Sequence, residues 1–288
     1  MATVYHPSPI NASFPTVPTT VIRAGKFTFQ ESFSDILLHR HTFLLLIKRD
    51  LQIRYSQTIL GIAWVVLQPL SITLAFWLVY GQMTRITYTE IPYPLFVFTG
   101  LVPWMFFTNA ITNGSNSLLA YSSIIGKVYF PRLLIPLAVV SAGLVDFIIG
   151  IVIQVGIAFY YGGHLDPMRI PFFILNVVLL LMLSVGLSLN LAILTFKYRD
   201  LRYVLPLLLQ FGLFVTPISY PIGILSSRIG WLAELNPMLG IIEGYKAFWF
   251  NQVIPWYSLG ISTLFAGVIL VLGFFLFQQR ESELADIL

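Results

Sequence analysis

The apolar positions of this chain fall in blocks of membrane length, not in the narrow stripes of a soluble bundle. Leu60–Tyr80 is 21 residues of mainly apolar sequence, about 30 Å of helix and the thickness of a bilayer core. Pro94–Ala110 is a shorter block carrying Gly100 and Pro103, and Leu133–Tyr161 is long enough to tilt. Pro171–Phe196 reads as a clean span despite Asn176 and Asn190, Val204–Ser219 is short and interrupted by Pro206 and Pro217, and Tyr257–Phe277 is the last block. Six crossings place both termini on one side.

Ahead of these blocks, Asp35–Gln57 repeats with helical period. Ile36, Leu37, Phe43, Leu44, Ile47, Leu51 and Tyr55 share one face, and His41, Lys48, Arg49 and Gln52 lie elsewhere. Arg40 and Arg54 fall inside the apolar face, where long basic side chains can snorkel. The pattern predicts a helix lying in the membrane interface; a soluble helix packed on a partner would read the same way. Residues 1–33, rich in Pro, Ser and Thr, read as a cytosolic tail with a short strand at Phe27–Phe29. The organisation is therefore a tail 1–33, an amphipathic interface helix 34–58, a membrane domain 59–277 and a cytosolic tail 278–288.

Composition agrees with this pattern. Of the 288 residues 57% are hydrophobic and 10% charged, too few charges to cover a water-soluble surface. No apolar core of signal-peptide length occurs in 1–33, so insertion is expected to use the first span itself. There is no cysteine, hence no thiolate metal site, and the net charge of +4 is dispersed, which does not point to nucleic acid. With the N-terminus inside, only Arg85, Arg169, Arg228 and Lys246 of the 16 lysines and arginines fall in outer loops. The positive-inside rule then places both ends in the cytosol.

Three further cytosolic pieces stand out: Gly114–Pro131, Phe196–Leu201 with Lys197, Arg199 and Asp200, and the acidic tail after Gln278. In the first, Leu118–Leu119 and Ile124–Ile125 are apolar pairs expected to be exposed unless a partner or the interface helix covers them. Outside, Tyr220–Trp256 holds two apolar patches, Ile222–Trp231 and Met238–Phe250. Both are too short to span and can dip into the membrane only if protein protects their backbone.

Catalytic signals are nearly absent. Gly126-Lys127 is followed by Val128 and position 121 is Tyr, so no phosphate-cradling loop forms. His6, His39, His41 and His164 lack metal-ligand spacing, and Glu90, Asp166, Glu234 and Glu243 are too scattered for a transferase centre. The informative polar residue is Asp146, near the middle of the third block, where a carboxylate costs about 3 kcal/mol on insertion scales. It either lines a pathway or hydrogen-bonds a neighbouring helix through Asn190 or Gln154. Most aromatic residues belong to interfacial belts or core; Phe76, Trp77, Phe106 and Phe107 are the candidates for a pathway, where flat rings stack on sugar faces.

Three stretches together, IKRDLQIRYSQTILGIAWVVLQPL (Ile47–Leu70), GKVYFPRLLIPL (Gly126–Leu137) and LNPMLGIIEGYKAF (Leu235–Phe248), resemble the permease subunits of ABC-2-type exporters that move O-antigen, capsule or teichoic-acid polymers. The resemblance runs from about residue 22 to the C-terminus. It implies an all-α fold of six spans with re-entrant outer helices before the last. It also implies a homodimer bound to two separate ATPase subunits that hold ATP and Mg, and a polysaccharide substrate on undecaprenyl diphosphate. ATPase coupling would fall to Lys48, Arg49, Arg54 and Tyr55 of the interface helix, to Gly114–Tyr129 with Leu118, Leu119, Ile124, Ile125, Lys127 and Tyr129, and to the Lys197–Asp200 link. The outer gate would be Tyr220–Phe250, with Trp231, Asn236, Pro237, Glu243 and Tyr245. Export of another lipid or of a drug remains open beside polysaccharide.

Overall fold

A computed structural model describes residues 38–56, 58–81, 91–125, 130–223 and 233–281. The tail 1–33 with its expected strand, Lys127, Tyr129, Trp231 and residues from 282 onward lie outside the described residues. Each described element is a helix. In order these are α1 Arg40–Tyr55, α2 Ala63–Phe76 closed by a π turn at Trp77–Gly81, α3 Tyr93–Ala120, the single turn α4 Ser122–Ile125, and α5 Leu134–Tyr160. A 3-10 turn at Pro167–Arg169 leads into α6 Ile170–Lys197, followed by α7 Leu201–Val215, α8 Pro237–Trp249 and α9 Trp256–Arg280.

Five of these are long and apolar enough to cross a membrane: α2, α3, α5, α6 and α9. The chain is an integral membrane protein. α7 has 15 residues, about 22 Å, and falls short of a full bilayer core as a helix.

The second apolar block is longer than expected. Its helix runs 28 residues through Gly100 and Pro103 to Ala120, so Gly114–Ala120 continues the span and is not part of a separate surface piece. Tertiary packing overrides the two weak helix formers: 78% of the apolar window of α3 is buried, against 17% for α2 and 22% for α9. α3 is the axis on which α2, α5, α6, α7 and α8 pack.

Between lipid-facing helices there is no hydrophobic drive to associate, so small residues that let backbones approach do much of the work. A Cβ on Gly186 would stand 2.7 Å from the Leu270 nitrogen, and one on Gly273 2.7 Å from the Gly186 oxygen. Asn190 joins the same contact, donating to the Gly186 carbonyl at 2.8 Å and the Ile269 carbonyl at 3.2 Å. Gly114 sits against Ser188 on α6, whose hydroxyl donates to the Ala110 carbonyl at 2.9 Å.

Buried side chains form two clusters. One lies at the end of the bundle where α3 and α6 begin, with Phe98, Trp104, Phe106, Phe147, Tyr245, Phe248 and Trp249. The other gathers Leu46 of α1, Leu118 in the last turn of α3, Tyr121 and Ile125 just after it, Leu134 at the start of α5, Phe196 near the end of α6 and Phe277 near the end of α9. The N-terminal helix and the end of α9 therefore share one end of the bundle, where the backbone N–H and guanidinium of Arg132 also bond Glu281 at 3.1 and 3.0 Å.

The interface helix packs by most of the face expected for it, with Leu46 added and Leu44 left out. Leu46 is buried with Phe43 and Ile47 packed beside it, whereas Leu44 is 60% exposed. Leu118 and Ile125 are covered inside the chain by this same cluster, and Leu119 and Ile124 are half-buried against it. The apolar pairs of Gly114–Pro131 thus need no outside partner to leave water.

Candidate functional site

Two polar constellations interrupt this apolar body, one at each end. At the α1 end, α5 carries Asp146 twelve residues past Leu134, about 18 Å along the axis. α1 lies along α5, and its last turn brings Arg54 and Tyr55 to that carboxylate. Arg54 Nη1 lies 3.2 Å from Asp146 Oδ2, its Nε donates to Asp50 Oδ2 at 2.7 Å, and its Nη2 reaches the Val139 carbonyl at 3.4 Å. The Tyr55 hydroxyl donates to Asp146 Oδ1. Arg54 falls on the apolar face because its partner is there; it is clasped, not snorkelling. Asp146 bonds to neither Asn190 nor Gln154. Asn190 joins α6 to α9, and Gln154 belongs to the other constellation.

The electrostatics of the clasp follow from its partial burial. Desolvation raises the Asp50 pKa above the usual carboxylate value, against the lowering pull of the Arg54 charge and hydrogen bond. Burial, then the hydrogen bond to Asp146, pushes the Tyr55 phenol well above its ordinary value. Tyr55 therefore stays a donor at any physiological pH. One turn earlier Arg49 stacks over the Tyr121 ring at 4.5 Å, tying α1 to the turn after α3 as well.

Beside the clasp is a partly open cavity of about 160 Å³ lined by α1, α2, α3 and α5. Arg54, Tyr55, Asp146, Gln68, Asn109, Trp64 and Phe106 line it, with Gly143 and Gly150 leaving the α5 wall low. Phe106 is held there by Phe147, ring centroids 5.2 Å apart. The other aromatic candidates lie elsewhere. Phe107 is buried against Trp104, Phe76 is buried and stacked on Tyr80, and Trp77 is 39% exposed in the π turn.

At the opposite end α8 is sunk between α3, α6 and α9. Asn236 caps it by accepting the Met238 N–H at 3.0 Å while donating to Thr216 Oγ1 at 2.9 Å, and Pro237 supplies a first helical residue that needs no partner for its nitrogen. Gly240 and Gly244 form the face that meets α9 and α6. A Cβ would stand 2.3 Å from the Ser258 oxygen at the first and 2.3 Å from Asn176 Nδ2 at the second. Tyr245 is buried and donates to Gln154 Oε1 at 2.9 Å, and Gln154 donates to Thr99 Oγ1 at 3.0 Å. Arg169 closes the helix C-terminus by donating to the Ala247 and Gln252 carbonyls at 3.1 and 2.8 Å.

Of the residues singled out from sequence, Arg54, Tyr55, Asp146 and Phe106 come together around one cavity. Asn236, Pro237, Glu243 and Tyr245 come together on α8. Lys48 is exposed, and Lys197, Arg199 and Asp200 form an exposed link in which Lys197 lies over the Tyr198 ring. Among the described residues no group of three His, Asp or Glu stands close enough to hold a metal. Two participants escaped sequence reading. Asp50 was legible as a carboxylate four residues before Arg54 on one helix face. Lys246, counted among outer-loop charges, is 1% exposed inside α8; its signal was Glu243 three residues earlier.

Comparison with known proteins bears on this arrangement. The chain is 29% identical over 252 residues to the O-antigen export system permease protein RfbA of Klebsiella pneumoniae, covering 85% of this chain and 94% of that one. It is 27% identical over 256 residues to RfbA of Myxococcus xanthus, covering 88% and 97%. With the polysialic acid transport protein KpsM of Escherichia coli it shares 23% over 244 residues, covering 82% and 92%. Residues 41–250, from the start of α1 to the end of α8, match the ABC-2 type transporter family; an all-helical membrane body with an N-terminal helix docked on its spans thus belongs to the ABC-2 type transporters.

Proposed function

We propose that this chain is the membrane subunit of an ATP-driven exporter that moves polysaccharide, carried on undecaprenyl diphosphate, from the cytosol across the inner membrane. The observation that carries this reading is the match, over nearly the whole length of both chains, to permeases of O-antigen export. The chain itself has no phosphate-cradling loop, so ATP and Mg belong to two separate ATPase subunits. Two copies of the chain enclose the path, because six helices are too few to wall a polymer.

In this reading α7 and the turn after it form the fifth of six crossings. Gly212 faces Trp104 and Ile218 faces Gly100, which supports a course antiparallel to α3. Both termini are then cytosolic, at the end where Leu46 and Phe277 share one cluster. The coupling surface comprises α1, the turn α4 and the Lys197–Asp200 link. ATPase motion reaches the spans through the Arg54–Asp146 clasp, because a push on α1 is delivered to α5 by a charged contact that does not slide. Of the aromatic candidates, Phe106 on the cavity wall and the exposed Trp77 belong to the polymer path, whereas Phe76 and Phe107 are core residues. α8 dips into the membrane from outside and closes the mouth, its backbone shielded by α3, α6 and α9 as non-spanning segments in lipid require.

Deleting the gene should abolish surface polysaccharide and leave lipid-linked polymer inside the cell, with return on supplying the chain in trans. Normal surface polymer in the deletion strain would refute the substrate assignment.

A further inference from the structure

Lys246 is the most buried charged side chain among the described residues, 1% exposed. A cation placed there needs a reason, because burial is unfavourable unless the charge is paired and hydrogen-bonded. Its Nζ donates to the Pro217 carbonyl, lies 3.9 Å from the centroid of the Phe96 ring and stands 3.4 Å from Glu243 Oε1. All three neighbours are at the outer end of the bundle in the export reading, and one of them is on the connection that leaves α7.

The last helical bond runs from the Thr216 N–H to the Gly212 carbonyl at 2.9 Å, and beyond it side chains help to hold the connection. Ser219 offers its carbonyl to the Tyr93 hydroxyl at 3.1 Å, Thr216 offers its hydroxyl to Asn236, and Ile218 is buried against Gly100. Upstream, α7 buries only Leu205 among its 15 residues. The outer end of α7 is thus fastened at a few points to α3 and α8, and Lys246 makes the charged one.

We propose that Lys246 is the pin of the outer seal: it holds the Thr216–Ser219 connection to α8, and its release from the Pro217 carbonyl lets α7 part from α8 and open the path. The proposal rests on the export reading. Glu243 explains why release is attainable. It sits one turn away on the same helix, 16% exposed, and travels with Lys246, so that parting from Pro217 does not strand an unpaired cation.

The test is passive leak of a small anionic dye from vesicles that hold the permease with its co-purified ATPase, without nucleotide. Lys246→Met should raise the leak about tenfold or more, the loss of one charge-assisted hydrogen bond, and Lys246→Arg should stay near wild type. Leu205→Ala, which weakens α7 away from the seal, should lower the melting temperature without leak. A tight Lys246→Met complex, or equal leak from Leu205→Ala, would overturn the pin. Glu243→Gln offers a second route. It should keep the seal tight but slow export several-fold, and unchanged export would remove Glu243 from the release step. Dye leak does not depend on the natural polymer, so failure of the pin and failure of the polysaccharide assignment are read separately.

Discussion

The clasp between Arg54 and Asp146 can be measured as a coupling. The two side chains are 19% and 21% exposed, between the surface regime, where a pair contributes at most about 1 kcal/mol, and the buried one, where breaking it costs about 3–5 kcal/mol. Arg54 keeps Asp50 and the Val139 carbonyl when Asp146 is neutralised, so the loss belongs at the low end. A coupling energy of about 2 kcal/mol follows, or a roughly 30-fold change in the docking equilibrium of α1 on α5. The single variants are a poor guide, because removing the carboxylate also relieves its cost of insertion, about 3 kcal/mol. A double-mutant cycle of Arg54→Gln and Asp146→Asn cancels that contribution. The chain lacks cysteine, so a cysteine at buried Leu46 reports undocking by its rate of labelling with a water-soluble maleimide. Both single variants should label faster than the parent, and the double variant should label more slowly than independent effects would give. A coupling below about 0.5 kcal/mol, the limit of additivity for independent sites, would refute the clasp as the link between α1 and α5.

Gly240→Ala should cost about 1–3 kcal/mol in melting and lower assembly, since its Cβ meets backbone oxygen at 2.3 Å; Gly260→Ala on α9, with nothing within 4 Å, is the matched control. Replacing Leu119 and Ile124 with Asp should lower melting as well as ATPase co-purification, because both side chains pack on the inner cluster; loss of the ATPase at unchanged melting would assign them to the partner alone. The raised Tyr55 pKa has a defined sign: its protonated form is favoured in the folded chain, so its contribution is complete below the unfolded value near 10 and is lost as pH rises toward the folded one. Melting of the purified chain should therefore fall more steeply above about pH 10 than that of Tyr55→Phe, and identical alkaline profiles would count against the Tyr55–Asp146 bond.

Much of this protein is local physics and was legible in its sequence. Long apolar blocks must become helices in lipid, since no other open structure satisfies the backbone there. The block limits at Leu133–Tyr161 and Pro171–Phe196 lie within a residue of α5 and α6. The oddity of Asp146 within an apolar block and of Arg54 within an apolar face was equally visible, because each is a property of a residue type in a known solvent.

What the sequence left open were choices among partners distant in the chain. Asp146 had several polar residues within plausible reach, and only the placement of α1 along α5 selects Arg54 and Tyr55, about ninety residues away. The length of α3 was underestimated because Gly100 and Pro103 weaken a helix locally, while burial on several sides, which the local sequence does not record, holds it through to Ala120. Leu118 and Ile125 likewise lie in a cluster to which α1, α5, α6 and α9 of the same chain contribute. Lys246 counted as an outer charge by its position in the chain. It became a buried pin only when α8 folded back between α3, α6 and α9 and brought it to the Pro217 carbonyl, a contact set by tertiary packing because neither residue specifies the other in sequence.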